Sequence, residues 1–167
     1  MCIRDRGPGD TALATVTQSG NDNVSDVDQG FFDPGDGSVA TVVQSGNDND
    51  SSVLQNFNSF GGLNTATVTQ SGNDNQSDVT QENFSMSATV LQLGNNNDSM
   101  ILQSNSGGLG GGNIAMVTQG TEFNISMITQ DGASNMATLT QGTLTGTTFN
   151  NSSITQSGTG NTAIVNQ

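Results

Sequence analysis

Any proton transfer or cation binding by this chain would have to rest on its carboxylates, because fifteen Asp and Glu stand against two Arg and no His, for a net charge of −13. Asp22, Asp48 and Asp74 occupy the same place in three copies of the pentapeptide SGNDN. Oxygen donors repeated at equivalent turn positions would suit a hard cation such as calcium. The short glycine and aspartate repeat of calcium-binding solenoids is missing, however, and solvated turn residues are the simpler expectation. General acid–base catalysis has no His or Tyr to use and would fall to solvated Asp in turns. The chain is therefore read as no enzyme, with no cofactor and no metal site.

The side chains that recur most regularly are amides. Thirteen Gln fall in one register: Gln18, Gln29, Gln44, Gln55, Gln70, Gln81, Gln92, Gln103, Gln119, Gln130, Gln141, Gln156 and Gln167. Two residues before each stands an aliphatic: Val16, Val27, Val42, Val53, Val68, Val79, Val90, Ile101, Val117, Ile128, Leu139, Ile154 and Val165. Four before, Ala and Ser alternate strictly. Six before, the Ser class always has Asn (Asn23, Asn49, Asn75, Asn97, Asn124, Asn150), and the Ala class has Asn64, Asn113, Asn135 and Asn161 beside Ala12, Ser38 and Met86.

A shared period of two is the strand period, so Asn, Ala or Ser, the aliphatic and Gln lie on one face. That near-invariant face is expected to point inward, and the variable intervening residues outward. Gly20, Gly46, Gly72, Gly94, Gly132 and Gly158 follow a Gln by two, where a tight arch needs positive φ. Two alternating strand classes predict an all-β fold, a flattened two-sheet parallel β-solenoid of thirteen short strands and about six and a half coils. Buried amides, normally costly, would be satisfied by ladders in which each donates to one neighbour and accepts from the other. Incomplete pairing at the terminal coils would favour adding another copy.

Hydrophobic residues make up only 31% and aromatics 4% of the chain, too little for a conventional core. Such a composition with this net charge is typical of disorder, and the repetition is what argues otherwise. Arg4 and Arg6 are the only basic residues, which excludes an electrostatic footprint for nucleic acid or anionic lipid. No apolar run is long enough for membrane insertion. Residues 1–9, with the lone Cys2 and both Arg, are read as a non-native, disordered leader, and residues 10–167 as the solenoid. Because the first and last strands are both Ala-class, a continuous two-sheet ladder between copies also predicts a further Ser-class strand upstream.

These units resemble the curlin repeat, most clearly in Gln70-S-G-N-D-Asn75-Q-Ser77-D-V-T-Gln81 and Gln156-S-G-T-G-Asn161-T-Ala163-I-V-N-Gln167. Similar units run from Ala12 to Gln167. The sequence departs from the enterobacterial pattern in lacking Tyr, in placing Asn where Ser often leads, and in longer loops at 30–37, 56–63, 104–112 and 142–149. The resemblance implies a secreted subunit of curli-like functional amyloid fibres in the biofilm matrix, outside a Gram-negative cell. It also implies self-association into a homopolymer, a nucleator subunit and an outer-membrane secretion pore as partners.

Asp22, Asp48 and Asp74 would then stack about one coil apart, as gatekeepers whose like charges oppose assembly. Phe31, Phe32, Phe57, Phe60 and Phe84 are expected to cap one edge of the core. An ice-binding or other adhesive cell-surface solenoid is the alternative, because Thr15/Thr17, Thr67/Thr69 and Thr138/Thr140 form outward Thr-x-Thr pairs. Intervening strands interrupt that array.

Overall fold

The computed structural model describes residues 2–5, 12–29, 37–55, 63–105, 112–142 and 149–167. Its strands are β1 (Cys2–Asp5), β2 (Leu13–Ser19), β3 (Val24–Gln29), β4 (Val39–Ser45), β5 (Asp50–Gln55), β6 (Thr65–Ser71) and β7 (Gln76–Gln81), followed by β8 (Ser87–Gln92), β9 (Asp98–Ser104), β10 (Ile114–Gln119), β11 (Ile125–Ala133), β12 (Met136–Gln141), β13 (Asn151–Thr159) and β14 (Thr162–Asn166). No helix occurs among the described residues, so none there is long and apolar enough to cross a membrane.

Odd-numbered strands form one seven-stranded sheet, in the order β1-β3-β5-β7-β9-β11-β13, and even-numbered strands form the other, β14-β12-β10-β8-β6-β4-β2. We call these sheets A and B. Every pairing is parallel and in register with the repeat. In sheet B, Ala66 lies beside Ala88, Val68 beside Val90 and Gln70 beside Gln92; in sheet A, Ser77 lies beside Ser99, Val79 beside Ile101 and Gln81 beside Gln103. The flattened two-sheet parallel solenoid predicted from the period is the architecture found.

The thirteen expected strands are β2–β14, and one more precedes them. Residues 2–5, expected to lie in a disordered leader, form β1 and pair with β3, Ile3 falling beside Val27 and Asp5 beside Gln29. The physical reason is that an open sheet edge presents unpaired N–H and C=O groups, and any extended backbone can satisfy them whatever its side chains. The rest of the proposed leader lies outside the described residues, as do Phe31, Phe32, Phe57 and Phe60. Phe84 is partly buried, and Phe123 packs on Phe149 with ring centroids 5.2 Å apart.

The core is thin because its inward positions are small. Ala40, Ala66, Ala88, Ala115 and Ala137 from sheet B share one buried cluster with the central aliphatics of both sheets, from Val27 to Ile154. Val16 and Val165 in the end coils are only partly covered.

Candidate functional site: the amide ladders

Each inward Gln reaches along the rod. In sheet B, Gln18 donates from Nε2 to Gln44 Oε1 at 2.6 Å, and the chain continues Gln44 to Gln70 at 2.8 Å, Gln70 to Gln92 at 2.9 Å, Gln92 to Gln119 at 2.9 Å and Gln119 to Gln141 at 3.2 Å. Sheet A repeats this from Gln29 through Gln55, Gln81, Gln103 and Gln130 to Gln156, at 2.8–2.9 Å. The second Nε2 hydrogen crosses to the opposite sheet. Gln70 donates to Asp50 O, Gln92 to Gln76 O and Gln141 to Ile125 O, while Gln55 donates to Val39 O and Gln156 to Met136 O. The acceptor in each case is the first residue of a strand, so the Gln stitch the sheets together where the chain turns.

A backbone carbonyl can only accept, so this second bond fixes the amide's orientation and gives the ladder a sense. Both Gln ladders donate toward the C-terminal end. Gln167, in the last coil, departs from the series: it is exposed, and its Oε1 accepts from Ser152 Oγ at 2.6 Å.

The Ser-class Asn ladder runs the other way. Asn49 donates from Nδ2 to Asn23 Oδ1 at 2.9 Å, Asn75 to Asn49 at 3.0 Å, Asn124 to Asn97 at 2.9 Å and Asn150 to Asn124 at 2.9 Å. Backbone N–H groups of Asn49, Asn75 and Asn124 join the same acceptors, and that of Asn97 alone donates to Asn75 Oδ1 at 3.1 Å. The Nδ2 of Asn97 has no partner. In the Ala class, Asn64 Oδ1 accepts from Met86 N, Asn113 Oδ1 from Asn135 N, and Asn135 Oδ1 from both nitrogens of Asn161.

A third ladder was missed. Asn21 donates from both its backbone N and Nδ2 to Asn47 Oδ1, Asn47 likewise to Asn73, Asn73 likewise to Asn95, and Asn95 Nδ2 to Glu122 Oε1 at 2.7 Å. The signal was the central Asn of each SGNDN, identical in three copies. The inward serines do less than the amides: Ser99 Oγ reaches Ser77 Oγ at 3.4 Å, whereas Ser25, Ser51 and Ser126 have buried hydroxyls without a partner.

Asp22, Asp48 and Asp74 stack at one arch position with φ of 53°, 55° and 56°, exposed to solvent, and Asn96 holds the next place at 55°. The backbone N–H of Asp48 donates to Asn21 O and that of Asp74 to Asn47 O, both at 3.0 Å. Other acids line the outer face of sheet A. Burial, then the neighbouring charges of Asp98 and Asp50, raise the Asp78 pKa against a lowering bond from Ser52, and burial raises that of Asp98. Raised carboxyl pKa values mean that the folded state resists ionisation: this strain is absent below the unfolded value of about 3.9 and grows as pH rises through the folded value. No group of three or more His, Cys, Asp or Glu suited to a metal ion occurs among the described residues.

Residues 60–82 match the family model of the curlin associated repeat. The matched segment contains β6 and β7, one full coil with a strand in each sheet, and the coils on either side pair with it in register, repeating its inward Gln, aliphatic and small residue. Neither the curated proteins nor the solved structures give a match to the chain.

Proposed function

We propose that the chain is a structural subunit of extracellular, curli-like amyloid fibres of a biofilm matrix, polymerising head to tail by stacking terminal coils. The observation that carries this reading is the one-way Gln ladder within a sheet whose end strands have a neighbour on one side only. A ladder that donates toward one end and accepts at the other is self-complementary by translation, and translation is the operation that builds an open filament. The curlin repeat at 60–82 supports the same reading, and with it secretion, a nucleator subunit and an outer-membrane pore as partners. Purified monomer is expected to form thioflavin-positive fibres with a cross-β spacing near 4.8 Å along the axis. A chain that stays monomeric and folded under all assembly conditions would exclude it.

Asp22, Asp48 and Asp74 act in this reading as gatekeepers, because folding each coil of the chain onto the last brings their like charges together. Changing all three to Asn keeps the left-handed φ that Asn tolerates and that Asn96 already adopts in the same column. The lag time at pH 7 should shorten roughly twofold or more in the triple variant, and wild-type assembly should quicken toward pH 4 as Asp78 and Asp98, whose pKa values are raised, take up protons. An unchanged lag time in the variant would remove the gatekeeper role.

A further inference from the structure

The two outer faces of the solenoid differ sharply in charge. On sheet A, Asp26, Asp28, Asp50, Asp78 and Asp98 point outward. On sheet B, no outward residue from Leu13 to Asn166 is charged, although the chain holds fifteen acids. The outward positions of sheet B carry Thr and Ser interspersed with large apolar side chains, among them Leu13, Ile114, Met116, Met136 and Ile164, all at least 40% exposed.

We infer that the outer face of sheet B is a docking surface for the same face of a second copy of this chain, so that two solenoids pair side by side. Charge selects this arrangement. Pairing sheet A with sheet A would press like charges together, with Arg4 and Arg6 the only basic residues in the chain. Pairing A with B would bury unpartnered carboxylates under an apolar face. Only B on B removes apolar surface without burying a charge.

Area allows it as well. Seven strands about 4.8 Å apart, each with about six residues at about 3.3 Å, present roughly 650 Å² per copy, or about 1,300 Å² for the pair, within the range of specific interfaces. This uncharged surface, with Thr interspersed among exposed apolar side chains, is of the kind that interdigitates between paired sheets. Ice is a poorer occupant, because the column Thr15, Thr41, Thr67 and Thr89 gives way to Met116 and then, beyond Thr138, to Ile164. Protruding apolar side chains interlock with one another but break a regular hydroxyl lattice.

Fibre growth uses the ends of the rod and this pairing uses its flank, so either can fail without the other. β8 is the middle strand of sheet B and Thr89 its central outward residue, so a two-fold axis through the face brings Thr89 opposite Thr89 of the second copy. In a Cys2→Ser background, Thr89→Cys should cross-link to a dimer through a short bifunctional maleimide several-fold more than Thr80→Cys on β7, the middle strand of sheet A. Adding Met116→Lys and Met136→Lys should abolish the difference while circular dichroism still reports the β fold. Fibres or monomers that show equal cross-linking at both positions overturn the pairing, and so does thermal hysteresis from an uncross-linked monomer. Thr89-linked soluble dimers without any fibre would support the pairing and count against the fibre reading alone.

Discussion

Gln92→Ala is expected to destabilise the solenoid by about 4 kcal/mol, and Thr89→Ala, three residues away on the same strand, by less than about 1 kcal/mol. Gln92 is fully buried and takes part in three hydrogen bonds: it accepts from Gln70 Nε2, and it donates to Gln119 Oε1 and to the backbone carbonyl of Gln76. Truncation leaves two carbonyl oxygens and one amide hydrogen short of a partner where water does not reach, at about 1–3 kcal/mol each before relaxation, and it opens a cavity besides. Gln70 keeps its bonds to Asp50 O and Asn75 O, which is why the larger end of that range is not expected. Thr89 faces outward, is partly exposed and loses only strand propensity. Chemical denaturation of both variants gives the comparison directly. Equal losses would mean that the ladder contributes nothing beyond ordinary side-chain packing.

Much of this fold could be read from the sequence because stacking imposes the same environment on every coil. An inward position in a solenoid sees its own counterpart above and below, so Gln, the aliphatic and the Ala or Ser recur without exception, and the period of two then assigns their face. Other features leave no such mark. Residue identity records that an amide is present but not which way it points, so the opposite senses of the Gln ladders and the inward Asn ladder emerge only from the carbonyls each amide meets. The Asn21, Asn47, Asn73 and Asn95 ladder leaves no distinct mark for another reason: Asn is already favoured in turns, so its recurrence in the pentapeptide looks the same with or without a ladder. Gly94 was expected to share the positive φ of Gly20, Gly46, Gly72, Gly132 and Gly158 and does not; nothing in the structure explains the difference. Strand β1 could not be read from side chains at all, since it joins sheet A through backbone pairing at an open edge.

The arches stack as closely as the strands do, and two glycines separate the effect of that stacking on the subunit from its effect on the fibre. Gly46 has a φ of 104°, and a Cβ there would overlap the carbonyl oxygen of Gly72 in the next coil, with Asn73 Oδ1 at 3.3 Å. Relieving the overlap means parting two arches joined by Gly72 N to Ser45 O at 3.1 Å and by Asn47 to Asn73. Strained φ alone costs about 1–3 kcal/mol, and the lost arch bonds add about 1 kcal/mol each, so Gly46→Ala should leave little of the fold's stability. Gly158 has a similar φ of 92°, yet a Cβ there would meet nothing nearer than Asn161 Nδ2 at 3.8 Å. It belongs to β13, an end strand of sheet A, and its counterpart one coil earlier, Gly132, is closed over by Gly158 itself. If a second copy continues the solenoid, its first arch must close over Gly158 in the same way. Gly158→Ala should therefore fold, at the cost of backbone strain alone, and still fail to elongate wild-type fibre seeds, whereas Gly46→Ala should fail at folding. Circular dichroism of each monomer and seeded elongation rates measure the two steps separately. Normal elongation by a folded Gly158→Ala chain would mean that copies do not join by continuing the coil.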